Sequence, residues 1–285
     1  MTDTPHAADG GQPIVRFTRP SHAPGLELAR YPSLTRGWQG IPDGYTWFTL
    51  IDWLEGAVDL TSRGVTGQCA AGSVTVGAPG EPYVLRPRSP MRGHFRVIRV
   101  DDALLDTRLD DIGAEMDVRR PADLFPREPQ YDVTLARTFR RLYRASDGGD
   151  ALETQERLFA LLAALTERGR DGRASPQRRG PSPGVRRAQE LLHARFAETL
   201  SLNELAAAAG TGTFALLRAF SYDLGLTPHA YQVQLRMARA RRLIAGREPL
   251  ADVALAVGYS EQSALNRAFK RHVGVTPGAY MHAAR

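Results

Sequence analysis

At 285 residues the chain has room for two domains of ordinary size, each able to bury its own core. Its net charge of +6 is unevenly spread: residues 168–285 carry 18 Lys+Arg against 8 Asp+Glu, a net of +10, leaving 19 against 23, or −4, on residues 1–167. Such a split points to a nucleic-acid module joined to something else, no apolar run reaches 18 residues, and a single cysteine, Cys69, excludes an internal disulfide or a cysteine-rich metal site.

Met1 to Gln12 is polar and Gly-containing and lacks an apolar core segment, so no signal peptide is expected. Residues 1–25 read as a flexible arm, and the lone cysteine suits a reducing cytoplasm. From about Tyr45 to Asp101, short runs rich in Val, Thr, Tyr and Trp alternate with Gly and Pro (YTWFTLIDWLEG, AVDLTSRG, GSVTVGAPGEP, YVLRPRSP, HFRVIRVD). Repeated short strands with turn signals predict a β-sandwich or barrel.

Helical periodicity follows. Leu135, Phe139 and Leu142 fall at i, i+4 and i+7, and after Ser146-Asp147-Gly148-Gly149 a second segment carries Leu158, Leu161, Leu162 and Leu165 on one face. Two antiparallel helices with apolar faces must bury them against another layer. Residues 168–184, RGRDGRASPQRRGPSPG, hold no apolar residue beyond Ala174 and read as a mobile linker.

The last hundred residues contain an internal repeat. AAAAG-TGTFALLRAFSYDLGLTPHAY (206–231) matches ALAVG-YSEQSALNRAFKRHVGVTPGAY (254–280), pairing Gly210 with Gly258, Phe220 with Phe269, Gly225 with Gly274 and Tyr231 with Tyr280. Ser201-Leu202-Asn203-Glu204 is a capping box, so a helix should run from Leu202 to about Ala209, before Gly210. Leu216, Ala219, Phe220 and Leu224 then form an apolar stripe, repeated by Leu265, Ala268, Phe269 and Val273. Each copy is a short helix, a Gly turn and a second helix, which predicts a helix-turn-helix. Thr227-Pro228 should open a connecting helix of 18 residues ending near Ala245, roughly 27 Å long at 1.5 Å per residue.

Positions pointing away from the stripe are the candidates for DNA contact. In the second copy they are Gln262, Ser263, Asn266, Arg267, Lys270 and Arg271; Gln and Asn can read adenine bidentately and Arg can read guanine. The first copy offers Thr213, Phe214, Leu217 and Arg218, with Ser221 and Tyr222, and is poorer in polar readers. Phe214 and Leu217 suit thymine methyls, or partial burial against the domain.

Residues 185–285 resemble the DNA-binding domain of the AraC/XylS transcriptional regulators. The resemblance rests on Ser201-Leu202-x-Glu204-Leu205-Ala206, Gly225-x-Thr227-Pro228-x-x-Tyr231, Arg236-x-x-x-Ala240-Arg241-x-Leu243, Ala251-Asp252-Val253-Ala254-x-x-Val257-Gly258-Tyr259-Ser260 and Arg267-Ala268-Phe269-Lys270-Arg271-x-x-Gly274-Val275-Thr276-Pro277-x-x-Tyr280. It implies seven helices in two subdomains, binding to double-stranded DNA, control of transcription, and RNA polymerase as a partner. The chain departs from many relatives at Ser221 and Tyr222, where they carry basic residues.

Trp53-Leu54-Glu55-Gly56 and Gly72-Ser73-Val74-Thr75-Val76-Gly77-Ala78-Pro79-Gly80-Glu81-Pro82-Tyr83 resemble, more loosely, the cupin-like effector domain of the same regulators. The cupin HxH-plus-Glu signature is missing, Tyr83 stands where many cupins place a histidine, and His94 alone cannot hold a metal. No cofactor and no metal are expected, and the ligand implied is a small organic effector. Trp38, Trp47, Trp53 and Tyr83 are candidate stacking walls, with Arg96 as a charge partner in competition with Arg86, Arg88, Arg92 and Arg99. In relatives the two helices before the linker form a dimer contact, so a homodimer is expected.

The expected architecture is therefore an α+β two-domain chain. A cupin-like β-barrel with packed helices occupies residues 26–167, a linker 168–184, and an all-α double helix-turn-helix 185–285. Three rivals are a regulator whose first domain only dimerises, a cupin or alkyl-transfer enzyme fused to a DNA module, and a non-specific DNA-packaging protein. No P-loop or dinucleotide fingerprint supports an enzyme, and the polar readers Gln262 and Asn266 argue against packaging.

Overall fold

The computed structural model describes residues 15–34, 37–40, 45–62, 65–77, 80–113, 126, 128–171 and 181–282. Most of the expected arm and the middle of the expected linker lie outside the described residues. Alternating apolar and polar residues produce the strands β1 (Arg16–Thr18), β2 (Leu26–Leu34), β3 (Trp38–Gly40), β4 (Tyr45–Glu55), β5 (Val58–Ser62), β6 (Val65–Cys69), β7 (Ser73–Gly77), β8 (Tyr83–Pro87), β9 (Arg92–Asp101) and β10 (Gln130–Tyr131). They make two antiparallel sheets, one in the order β1-β2-β9-β4-β7-β10 and one in the order β3-β8-β5-β6.

The larger sheet is apolar on both faces because each face is covered. Leu28, Phe48, Leu50, Val74, Ile98 and Val100 meet α1 (Asp102–Gly113), α2 (Val133–Gly148) and α3 (Ala151–Asp171), which bury Leu135, Phe139, Leu142, Leu158, Leu161, Leu162 and Leu165. Asp132 caps α2, accepting from the backbone N–H of Thr134 at 2.7 Å and of Leu135 at 3.0 Å. The other face, with Ala29, Tyr31, Ile51, Phe95 and Val97, turns toward Val58 and Leu60 of the smaller sheet.

The second half is helical: α4 (Pro183–Ala194), α5 (Leu202–Ala209), α6 (Thr213–Leu224), α7 (Pro228–Ala245), α8 (Leu250–Ala256), α9 (Gln262–Val273) and α10 (Pro277–His282). The Ser201 capping box forms at the start of α5, and Thr227 and Thr276 cap α7 and α10 by accepting from Ala230 and Ala279 at 3.2 Å each. The two stripes are buried at Leu216, Phe220 and Leu224 and at Leu265, Phe269 and Val273. Gly225 (φ 73) and Gly274 (φ 94) end α6 and α9 in the left-handed region, where a side chain is strained.

The two halves are packed together rather than held apart by the polar linker. One buried cluster runs from Tyr31, Phe95 and Val97 of the barrel through Met237, Ala240 and Ile244 of α7 to Phe269, Val273 and Tyr280. Val84 of β8 belongs to the core of the first helix-turn-helix, and Arg86 Nη2 donates to the Gly225 carbonyl at 3.2 Å. The repeated glycines face this contact: a Cβ on Gly274 would come within 2.6 Å of Val15 Cγ2, and one on Gly225 within 3.4 Å of Val84 Cγ2. The apolar inner face of the barrel needs a cover, and the second module supplies it.

Candidate nucleic-acid interface and effector cleft

On α9 the buried Leu265, Phe269 and Val273 point inward, which turns Gln262, Ser263, Arg267, Lys270 and Arg271 outward as exposed residues and leaves Asn266 half-buried. Arg267 Nη1 reaches Ser263 Oγ at 3.5 Å and Arg267 Nη2 lies 3.8 Å from Glu261 Oε1. Glu261 also accepts from the Ser263 hydroxyl. This carboxylate at the N-cap of α9 restrains two candidate readers, a role the sequence reading missed because a helix-starting acid is ordinary. On α6 the outward face carries Phe214, 83% exposed, and Tyr222, 73% exposed, with Arg218 exposed and Thr213 and Leu217 half-buried.

Within the barrel lies a small apolar cleft of about 50 Å³ that opens to solvent. Trp38, Trp47 and Tyr83 line it together with Tyr31, Phe95 and Leu85. Trp47 and Tyr83 meet edge to face with centroids 4.0 Å apart, as do Tyr31 and Trp38 at 5.9 Å. Trp47 pairs across the sheet with Gly77, and its indole lies where a Cβ of Gly77 would be, so only glycine admits this ring position.

Two expected wall residues lie elsewhere. Trp53 is 49% exposed and outside the cleft: the register of β4 on β9 shifts between Ile51 and Trp53, so Leu54 takes the inner side. Arg96 lies on the opposite face of β9 from the cleft residues Phe95 and Val97. There its Nε lies 2.8 Å from Asp52 Oδ2 and its guanidinium sits over the Tyr143 ring at 5.4 Å, under α2. Cys69 lines the cleft as a neutral thiol, pushed up to about 12 by burial and then by Asp59.

The model of an AraC-like ligand binding domain matches residues 29–162, and the model of a helix-turn-helix domain matches residues 205–283. The chain belongs to the AraC family. It is 39% identical over 99 residues to a putative AraC-like transcription regulator of Streptomyces antibioticus, covering 34% of this chain and 33% of that protein. It is 34% identical over 119 residues to the HTH-type transcriptional regulator YbfI of Bacillus subtilis, covering 41% and 43% respectively. The matched segments thus span from a third to under half of those relatives' own lengths. The crystal structure of ToxT from Vibrio cholerae superposes with a TM-score of 0.51 at 12% identity, over 91% of this chain and 98% of that one, a likeness of fold alone.

What the sequence reading missed in this AraC-family chain lies where barrel and second module meet. Glu27 of β2 is 1% exposed and pairs directly across the sheet with the buried Arg99 of β9. It also accepts from Arg19 Nε at 2.9 Å and from the Tyr280 hydroxyl at 2.5 Å, while Arg19 Nη1 donates to the Tyr280 carbonyl at 3.2 Å. Burial alone would raise the pKa of Glu27, but the Arg99 and Arg19 charges and the Tyr280 hydroxyl bring it below its ordinary value. Arg99 in turn donates to the Tyr31 hydroxyl at 3.3 Å and lies over Trp47 at 5.9 Å, so the ion pair backs two walls of the cleft.

Proposed function

We propose that this AraC-family protein is a sequence-specific DNA-binding transcriptional regulator controlled by a small organic molecule bound in its barrel. The observation that carries the reading is the outward row of Gln262, Ser263 and Arg267, with the half-buried Asn266 beside it, over the buried Leu265 and Phe269, a helix face of hydrogen-bonding side chains on a rigid base. Thr213, Phe214, Leu217 and Arg218 form the corresponding face of α6, while Lys270 and Arg271 hold phosphates. Residues 26–167 bind effector and dimerise, 168–184 link, and 185–285 bind DNA, with 1–25 as an arm.

The aromatic-walled cleft favours effector binding over a purely dimerising barrel. The homodimer forms through the helices outside the barrel, where Leu152 and Phe159 of α3 are exposed at 67% and 46%. RNA polymerase is the further partner that the family resemblance implies, the setting is cytoplasmic, and the protein is not an enzyme. Among the described residues no helix is long and apolar enough to cross a membrane.

The deciding experiment is selection of duplexes from a randomised pool by the full chain, followed by competition against unselected DNA. A selected site bound at least a thousandfold more tightly than random duplex fits the low end of specific recognition. Equal affinity for both would make the protein a general DNA coat and end the proposal.

A further inference from the structure

The barrel cleft carries more information than the presence of a ligand site, because of what its walls lack. No Lys, Arg, His, Asp or Glu lines it among the described residues. Arg99, the cation behind Tyr31 and Trp47, is already paired with the buried Glu27. The two wall groups most able to ionise are held neutral: the Cys69 thiol is pushed up to about 12, and burial raises the Tyr83 phenol further still. A carboxylate or ammonium entering this cleft would lose its water and touch no charged side chain of the lining, with Arg99 and Arg241 acting on Tyr83 from outside it, and the physics of buried charge opposes that.

Beside the hydroxyls of Thr49 and Thr75, the walls offer one buried donor without a partner. Trp47 Nε1–H is buried and makes no hydrogen bond within the described chain, although most buried donors find a partner. Strand register fixes its place: Glu27, Arg99, Trp47 and Gly77 stand in one row across β2, β9, β4 and β7, and the indole lies over Gly77. Around it the aromatic faces of Tyr31, Trp38, Tyr83 and Phe95 suit a flat apolar body.

We propose that the cleft takes an uncharged, ring-bearing molecule with a hydrogen-bond acceptor, a carbonyl or ether oxygen, seated on Trp47 Nε1–H. The inference rests on the reading of the barrel as an effector domain and names the chemical class of that effector. Specificity follows from an unpaired donor: a ligand without the acceptor leaves the indole N–H unsatisfied, and a charged ligand leaves itself unsatisfied.

The test titrates the full chain, with its tryptophans labelled with ¹⁵N, with three matched probes: acetophenone, benzoate and ethylbenzene. Trp47→Phe identifies the Trp47 indole signal by its loss. Acetophenone is expected to move that signal downfield saturably, benzoate to bind at least tenfold more weakly, and ethylbenzene to bind without the downfield shift. Leu85→Trp, which fills the cleft from a half-buried wall position, is expected to abolish acetophenone binding and keeps the test decisive where Trp47→Phe disturbs folding. Benzoate binding as tightly as acetophenone, a Trp47 signal unmoved at acetophenone saturation, or no binding by any probe overturns the proposal. DNA affinity measured on the same samples separates the two readings. A charged probe that binds and shifts DNA affinity refutes the ligand class and leaves effector control standing. Acetophenone seated in the cleft with DNA affinity unchanged leaves the class standing and counts against control through the cleft.

Discussion

The Tyr280 hydroxyl donates to Glu27 at 2.5 Å, joining α10 to β2 across 253 residues of chain. Its repeat partner, Tyr231, is equally buried but turns its hydroxyl to His193 Nε2 at 2.8 Å and Gln189 Nε2 at 3.2 Å, both on α4. One repeated tyrosine thus serves inside its own module in the first copy and across the domain boundary in the second. Because Glu27 also pairs with Arg99, which touches Tyr31 and Trp47, the boundary contact and the cleft share a residue.

A first prediction compares the two tyrosines. Tyr280→Phe removes a hydrogen bond to a buried carboxylate, expected to cost about 1.5–3 kcal/mol of unfolding free energy. Tyr231→Phe removes bonds to the His193 ring and the Gln189 amide and should cost only about 0.5–1.5 kcal/mol. Urea unfolding of the two variants beside the parent chain measures both, and a larger loss at Tyr231 would refute a charged Glu27 as the partner.

The sign of the pH dependence follows from the lowered pKa of Glu27. A group whose folded pKa is depressed contributes its stability above the unfolded value, about 4.3 for Glu, and loses it as pH falls through the folded value. The difference between parent and Tyr280→Phe should therefore stay flat from pH 8 to pH 5 and shrink only in stronger acid. Unfolding curves at intervals across that range check it; a gap that closes between pH 8 and pH 6 would point to some other titrating group.

How much of this was legible depended on how local the signal was. The capping box at Ser201, the left-handed glycines after α6 and α9 and the apolar stripes are written within a few residues, so the two helix-turn-helix copies and the connecting α7 could be anticipated from them, while the count of seven helices came from the family resemblance. The barrel strands from Tyr45 to Asp101 were also legible, from β-rich runs set between Gly and Pro, but the face assignment was not. In β9, Arg96 and Arg99 sit among apolar neighbours on both sides, and only tertiary packing shows that Arg99 shares the inner face while Arg96 lies under α2. Trp53 was misjudged because a one-residue register shift cannot be seen in composition. Glu27 and Tyr280 carry no local mark of their contact at all.

The readers on α9 are expected to behave differently from its phosphate contacts. Gln262→Ala and Asn266→Ala should each cost about 1–3 kcal/mol on the selected site and relax its base preference. Arg271→Ala should weaken selected and random DNA by similar factors. Binding isotherms on both duplexes distinguish the cases, and equal losses on random DNA for all three variants would remove base readout from α9.

On α6 the exposed Phe214 suggests reading by apolar contact with a thymine methyl rather than by hydrogen bonds. Replacing that thymine with deoxyuridine deletes a single methyl, worth about 0.8 kcal/mol when buried and thus roughly a fourfold loss of affinity. Phe214→Ala should bind both duplexes equally. Randomised-site selection should accordingly show sharper preference beneath Gln262–Arg267 than beneath Thr213–Arg218. The reverse ranking, or indifference of the parent chain to uracil throughout the first half-site, would mean Phe214 contacts something other than DNA.

The last prediction concerns assembly. Leu152 and Phe159 stand seven residues apart on α3, two turns along one side, and both are exposed although the opposite side buries Leu158, Leu161, Leu162 and Leu165. Two large apolar side chains left outside a helix already anchored on its other side are what a second copy would cover, since exposed apolar surface rimmed by polar residues marks interaction sites. Changing both residues to glutamate places charges across any such contact and leaves the buried side untouched. Sedimentation at micromolar concentration should show a dimer for the parent chain and a monomer for the double variant, with thermal unfolding at matched low concentration unchanged. DNA affinity should fall more on a site with two half-sites than on one with a single half-site, because linked binding raises the effective concentration of the second module. A parent chain that sediments as a monomer, or a double variant that remains dimeric, would place the subunit contact elsewhere or remove it.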